Sequence, residues 1–207
     1  MNRLLTYFLF AGLIGFGLAG CYPQGPDYTS DLDVVYTNYD PEFDFPGHNT
    51  YAMPDKIVVD VEISNNGDTT YEYMKPVYAD QILARIDAHM TDLGWSKVDV
   101  SATPDVLVMP AGMSTTSYYY SYWYGWWYGG YWGSWGWYYP PYYSVSSYTT
   151  GSLIITMSDP NIDSPINRSP TAWIAAANGL LTGSSNISRA LDAVDQAFKQ
   201  SPYLKTN

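Results

Sequence analysis

The sequence has little of the residues that usually carry catalysis, metal binding or nucleic-acid contact. It contains one cysteine and two histidines. A single cysteine excludes a disulfide framework and a cysteine-rich zinc site. Lysine and arginine together number only 9 against 20 acidic residues, so the formal net charge is −11. Because nucleic-acid binding needs a basic surface, this charge argues against a nucleic-acid partner.

Long apolar runs are also scarce, and the one present lies at the N-terminus. It covers residues 4–19, follows the basic Arg3, and leads into Leu18-Ala19-Gly20-Cys21. A basic start, a short apolar run and small residues before a cut are typical of a secretory signal. A cysteine directly after them resembles the lipobox of bacterial lipoproteins. We expect residues 1–20 to be a lipoprotein signal peptide, cut between Gly20 and Cys21, although an uncleaved anchor or an incidental cysteine would share part of this pattern.

The lipobox predicts a place in the bacterial cell. Cys21 would carry the lipid, with palmitate among its acyl chains, and several chains buried together hold a protein stably at a membrane. The residue after it is Tyr22, not the aspartate that retains some lipoproteins at the inner membrane. We therefore expect an anchored periplasmic or envelope protein at the cell outer membrane, whose partner is the membrane itself.

The rest of the chain predicts a polar tether at 21–33 followed by one α+β domain at 34–203. Apolar residues at spacings of three and four predict helices at 76–93 and from about residue 186. A hairpin is predicted at 57–73, with further strands at 34–39, 98–100, 105–109, 151–157 and 171–177. We expect a largely antiparallel sheet with both helices packed on one face.

One segment of the chain is dominated by aromatic residues. Residues 118–143, the Tyr/Trp-rich segment, hold 11 tyrosines, 6 tryptophans and 5 glycines in 26 positions. No charged residue occurs between Asp105 and Asp159. Aromatic residues favour strands and glycine favours turns. We expect residues 114–147 to be an inserted Gly-rich loop or hairpin excursion between two core strands, and to be dispensable for folding because a longer loop adds little closure entropy.

Four roles are open for this segment: collapse on the domain's own surface, a membrane-interface element, a platform for stacking on sugars, or an anchor for another protein. A sugar platform would need polar partners from elsewhere, because the segment has no charged side chain. The candidate contact residues are Tyr122, Trp123, Trp126, Trp127, Tyr131, Trp132, Trp135 and Trp137.

Other candidates for chemistry are weak. His89 falls beside the apolar stripe of the first helix, and His48 has no partner nearby in sequence. Asp40, Glu42 and Asp44 could present three carboxylates to calcium if they lay on one strand face, but they lack the glycine and the distant glutamate of a calcium loop, so a solvated turn is the better interpretation. We expect no catalytic residues, no metal site and no cofactor.

Several short motifs, in order, resemble a family of bacterial lipoproteins known as domain of unknown function 4136. The resemblance begins at residues 39–45 and 50–52 and continues through Leu93-Gly94-Trp95 and Pro104-Asp105. It then includes Gly151-Ser152-Leu153, Asp159-Pro160, Thr171-Ala172-Trp173 and the closing helix with Pro202. The hairpin at 57–73 and the aromatic richness of the excursion depart from the family pattern.

The resemblance implies an α+β envelope lipoprotein with no established enzyme activity, and so it supplies no catalytic residues. We expect a non-catalytic structural or interaction role, with an envelope protein or glycan as further partner. The alternative is a glycan-binding or peptidoglycan-binding module that uses the Tyr/Trp-rich segment.

Overall fold

The computed structural model describes residues 35–64, 66, 69–113, 151–160, 171–178, 180 and 187–207. Within these residues the chain forms eight strands and two α-helices in an α+β arrangement. The strands are β1 (Val35–Tyr39), β2 (Thr50–Ala52), β3 (Val58–Ile63), β4 (Thr69–Tyr73), β5 (Ser96–Lys97), β6 (Val106–Met113), β7 (Ser152–Ser158) and β8 (Thr171–Ala177). The helices are α1 (Pro76–Asp92) and α2 (Ile187–Lys199), and short 3-10 turns cover Phe45–Gly47, Val100–Ala102 and Pro202–Leu204.

The sheet is mixed, so the expectation of a largely antiparallel sheet is wrong. Its order is β1-β8-β7-β6-β2-β5, and the β3–β4 hairpin joins β6 beyond β2. The pairs β1–β8, β8–β7 and β7–β6 are antiparallel. Strand β2 pairs in parallel with both β5 and β6, and β3 pairs in parallel with β6. The cause is the connection through α1: a helix between two strands lets the chain return to the sheet in its original direction.

Strand β6 lies at the centre of the sheet and carries a proline. Along one edge it pairs with β7 from Leu107 to Met113. Its other edge passes from β2, which pairs with Val106 and Leu107, to β3, which pairs with Ala111. Pro110 therefore lies at the gap between two partners, where the lack of an N–H costs the ladder least.

Both helices pack on one face of the sheet. One buried cluster joins α1 residues such as Ile82 and Ile86 to Val194 and Phe198 of α2. The same cluster takes alternate residues of the strands, namely Val106 and Val108 of β6, Leu153, Ile155 and Met157 of β7, and Trp173, Ala175 and Ala177 of β8. The apolar stripes predicted for the two helices are thus the surfaces that they bury. We call this side of the sheet the helix face.

The end of α1 is fixed by a glycine and by the C-terminal residues. Gly94 has a φ of 95°, a conformation that glycine adopts without strain, as expected for a residue that ends a helix. Trp95 then packs back, is 2% exposed, and donates from Nε1 to the carbonyl of Leu204 at 2.7 Å. The backbone N–H of Thr206 donates to the carbonyl of Leu93 at 3.0 Å. Residues 204–206 therefore act as the cap of a helix more than 100 positions earlier in the chain.

Two further predictions have different outcomes. The hairpin is confirmed, because β3 and β4 pair in antiparallel register. The strand expected at residues 98–100 is wrong: β5 ends at Lys97, and Val100 begins a 3-10 turn. Asp99 causes the difference, since its carboxylate accepts the N–H of Ser101 and so stabilises a turn in place of an extended chain.

We predict that Val194→Asp unfolds the domain, whereas Gln196→Asp on the same helix does not. Val194 is 1% exposed on the helix face, and Gln196 is exposed. A buried carboxylate without a partner costs several kcal/mol, a large part of the stability of an ordinary domain. Thermal unfolding followed by circular dichroism measures both variants. A cooperative transition for Val194→Asp at the wild-type temperature would show that this stripe is not the core.

Candidate functional site

The residues that the sequence marks most strongly lie outside the described residues. These are Gly20 and Cys21 of the predicted lipobox and the eight candidate contact residues of the Tyr/Trp-rich segment, Tyr122, Trp123, Trp126, Trp127, Tyr131, Trp132, Trp135 and Trp137. The predicted signal peptide, the whole of the predicted tether and the excursion at 114–147 also lie there. What the structure does describe is how the polar side chains of the domain are used.

One carboxylate joins the two helices. Asp195 of α2 accepts from Arg85 Nη1 at 2.6 Å and lies 2.7 Å from His89 Nε2, both on α1. A carboxylate can only accept, so Nε2 is the protonated nitrogen of His89. The ring of His89 also stacks on Phe198, with 4.8 Å between centroids. His89 is thus a boundary residue of the helix pair, as expected.

Burial alone would raise the pKa of the Asp195 carboxyl. The hydrogen bonds from His89 and Arg85, together with their charges, outweigh burial and hold this pKa below its usual range. Asp195 is therefore ionised at neutral pH. The three side chains form an ion pair between the helices and leave no unpaired acid or base.

A second polar contact fixes α1 on the sheet. Tyr51 of β2 is fully buried, and its hydroxyl donates to Asp87 of α1. Lys97 of β5 lies 3.2 Å from the same carboxylate. Burial of the ring, then the hydrogen bond to Asp87 and its negative charge, raise the pKa of Tyr51 above its usual value. A neutral tyrosine that donates to an aspartate is a positioning contact and not a nucleophile.

A third carboxylate sets the register of the parallel strands. Asp105, one residue before β6, accepts the N–H groups of Asn49 and Thr50 at 2.9 Å and the Thr50 hydroxyl at 2.8 Å. Burial opposes the charged form, but these donors, with a contribution from the charge of His48, hold the pKa of Asp105 below its usual range. Asp105 therefore aligns the starts of β2 and β6.

The acidic turn after β1 lies beside a group of stacked rings. Glu42 donates its N–H to the Asp40 carboxylate at 2.9 Å, so residues 40–44 form a turn and not one face of a strand. His48, for which the sequence offered no partner, stacks on Phe43 and lies with Nδ1 2.7 Å from the carbonyl of Asp44. Among the described residues no three histidine, cysteine or acidic side chains group as a metal site.

The ring cluster consists of Tyr39, Phe43, Phe45, His48 and Tyr203. Tyr39 and Tyr203 stack with 3.8 Å between centroids, and Phe43 meets Phe45 edge-on at 4.7 Å. Tyr39 remains 42% exposed. These contacts hold the turn after β1 against the C-terminal residues. An apolar crevice under α2, lined only by alanine, valine, leucine and isoleucine, offers no reactive group.

Sequence reasoning missed the partners in these contacts, although some signals were present. Asp87 falls four residues after Leu83 and three before Met90, beside the apolar stripe, which favours a donor on the element packed against α1. Arg85 and His89 are four apart, so they share one side of α1. No local pattern pairs them with Asp195 or Tyr51, because both contacts join distant parts of the chain.

The family model for domain of unknown function DUF4136 matches residues 35–203. A crystal structure of a DUF4136 family protein from Bacteroides thetaiotaomicron VPI-5482 is similar, with a TM-score of 0.62 and 34% identity, covering 84% of this chain and 97% of that one. The chain has no match among the curated proteins.

A PDZ domain protein from Parabacteroides distasonis ATCC 8503 is a more distant likeness. Its TM-score is 0.42 at 19% identity, and the similarity covers 82% of this chain and 35% of that one. The first likeness and the match over most of the domain define the class: this is an α+β domain of the DUF4136 type. The chain belongs to the DUF4136 family, as its motifs indicated. Among the described residues, neither helix has the length and hydropathy to cross a membrane.

We predict that Tyr51→Phe lowers the free energy of unfolding by about 1–2 kcal/mol, because a buried hydrogen bond to a charged group is lost. Tyr78→Phe is the matched control, since Tyr78 is 44% exposed on α1. Urea unfolding of both variants gives the values. A double-mutant cycle with Asp87→Ala should return a coupling of about 1 kcal/mol. Additive effects would mean that the two side chains do not interact.

We predict that the domain loses stability as the pH falls below about 4, the region where an ordinary aspartate takes up its proton. The pKa values of Asp105 and Asp195 are lowered in the folded state. As the pH falls, the two aspartates therefore take up protons at a higher pH in the unfolded chain than in the folded domain. The stability that they contribute is complete above their pKa in the unfolded chain and is lost as the pH falls through their pKa in the folded domain.

Urea unfolding between pH 3 and pH 7 checks the sign. Asp105→Asn should flatten this dependence, and Thr50→Val, which removes one donor without changing the charge, should flatten it less. An unchanged slope in Asp105→Asn would contradict the assignment.

Proposed function

We propose that this protein is a lipid-anchored cell-envelope protein with a structural or interaction role and no catalytic activity. The observation that carries the proposal is Leu18-Ala19-Gly20-Cys21 behind an apolar run, ahead of a polar tether and a folded domain. In this proposal the signal peptide is removed after Gly20, and Cys21 then bears the lipid, which includes palmitate. Tyr22 after the cysteine favours the outer membrane over the inner membrane.

The use of the described polar side chains supports a non-catalytic role. Asp195 joins α1 to α2, Asp87 binds Tyr51 and Lys97, and Asp105 aligns two strands. Each of these carboxylates is occupied in holding one element to another. A general acid or base would instead face a space that a substrate can enter. The partners proposed are the membrane, through the lipid, and a second envelope protein.

A glycan-binding or peptidoglycan-binding role is the second candidate. It is favoured by the 17 aromatic residues at positions 118–143, because flat rings stack on the C–H faces of sugars. The aspartate, asparagine or arginine side chains that usually hold sugar hydroxyls would have to come from outside the segment. In this role the eight candidate contact residues from Tyr122 to Trp137 would bind the glycan.

Mass spectrometry of the mature N-terminal peptide tests the lipid anchor. We expect a peptide that begins at Cys21 and carries acyl chains, and we expect Cys21→Ser to leave the protein unprocessed or release it from the membrane fraction. Ser30→Ala in the tether is the control and should stay anchored. An unmodified Cys21 in the wild-type protein, or cleavage at another position, contradicts the proposal.

Sedimentation with purified peptidoglycan separates the two roles. The glycan role predicts that the processed protein sediments with peptidoglycan and that Trp126→Ala combined with Trp127→Ala reduces the bound fraction at least several-fold. Tyr78→Ala, which changes an exposed aromatic residue outside the segment, should bind like the wild type. If none of the three sediments, the glycan role is excluded and the interaction role is retained.

A further inference from the structure

The sheet has a second buried face, opposite the helix face. Its side chains alternate along the strands with those that contact the helices. We call it the second face, and its central members are Leu107, Met109 and Ala111 of β6, Ile154 and Thr156 of β7, and Ile174 and Ala176 of β8. None of these side chains is more than 3% exposed.

The two helices do not account for this burial. Both belong to the cluster on the helix face, which excludes these seven residues. Strand pairing places the seven in two rows across the sheet, Ala111-Ile154-Ala176 and Met109-Thr156-Ile174. The first row continues to Tyr36 of β1, which is 42% exposed. Burial on this side therefore covers β6, β7 and β8, extends to Ala52 of β2 and Val58 of β3, and fades at β1.

We propose that the second face is the docking surface for the chain's own Tyr/Trp-rich segment, residues 118–143. The ends of the segment support this occupant. Strands β6 and β7 pair as far as Met113 and Ser152, so the chain leaves one central strand and rejoins its neighbour at the same end of the sheet. The 38 positions between those two residues are enough chain to fold back over three strands.

The composition of the other stretches outside the described residues supports the same choice. Residues 161–170 include aspartate, arginine and two prolines, and residues 181–186 are mostly small and polar. The polar tether ends before β1, at the side of the sheet where burial fades. The apolar run at 4–19 belongs to the proposed signal peptide, which is absent from the mature protein. Only the Tyr/Trp-rich segment offers enough apolar area.

The chemistry of the two surfaces is complementary. The second face presents alanine, isoleucine, leucine and methionine, and positions 106–158 contain no charge that would have to be stripped of water. Aromatic rings bury large areas, and the sulfur of Met109 makes favourable contacts with them. This docking reverses the expectation that residues 114–147 are dispensable for folding, because removing them would expose the face. It rests on the proposed function at one step, the removal of residues 1–20, which excludes the apolar run at 4–19 as the occupant.

Photo-crosslinking of the full, naturally processed chain tests the docking. Photo-methionine incorporated at every methionine places a probe at Met109 on the second face and at Met157 on the helix face. After irradiation, mass spectrometry of chymotryptic peptides should join Met109 to residues 118–143 within one chain. Met109→Leu should abolish that product, and Met157→Leu should leave it unchanged. We expect the probe at Met157 to reach only α1, α2 and its neighbouring strands.

The proposal is overturned if Met109 joins a second copy of the chain, a lipid or another protein, or if it gives no product while Met157 reacts. Replacing residues 114–150 by a short Gly/Ser turn gives an independent measurement. We expect this variant to melt at a lower temperature than the wild type and to bind a hydrophobic dye, or to fail to fold. A variant with the wild-type melting temperature and no dye binding would overturn the proposal as well.

Discussion

The position of β6 is the constraint on which the described structure depends. A strand with neighbours on both edges must satisfy every backbone donor and acceptor, and its side chains need apolar cover on both faces. Strand β6 meets the first condition with one antiparallel neighbour and two successive parallel ones. The second condition arises because β6 is a run of apolar residues without alternating polar positions, so that its side chains on both faces are apolar. The interruption between β2 and β3 is tolerated because it coincides with Pro110.

Around this strand, a few carboxylates decide how the elements are aligned. Hydrophobic contacts are not directional, so the apolar stripe of a helix can slide along a sheet at little cost. Hydrogen bonds to a carboxylate fix position more narrowly, since the donors must lie within about 3 Å. Asp87 sets α1 against β2, Asp195 sets α2 against α1, and Asp105 sets β2 against β6.

The local elements could be predicted from the sequence because their causes are local. Hydrophobic spacing gave both helices, Gly94 gave the end of α1, and β-branched or aromatic runs gave most strands. The parallel pairs could not be predicted, since they depend on which strand the chain meets after α1. The strand expected at 98–100 is wrong because the Asp99 carboxylate stabilises a local turn, which the two valines do not indicate.

The candidate site was predictable only in part, and for a related reason. A lipobox is a contiguous signal, so the lipid-bearing role of Cys21 is a prediction that needs no knowledge of the fold. The partners of Tyr51 and Asp195 lie in other elements and require the tertiary structure. The family match adds a shared fold but no activity, since the family is described as one of unknown function. The function of the domain therefore depends on the proposed anchor and on the surfaces that the domain presents.

The contact between the end of α1 and residues 204–206 has a consequence for the order of events in synthesis. Trp95 and Leu93 receive their partners only when Leu204 and Thr206 have been made. A nascent chain that stops short of them has a helix end with unpaired carbonyls and a buried indole without an acceptor. Completion of the domain is thus delayed until residues 204–206 have left the ribosome.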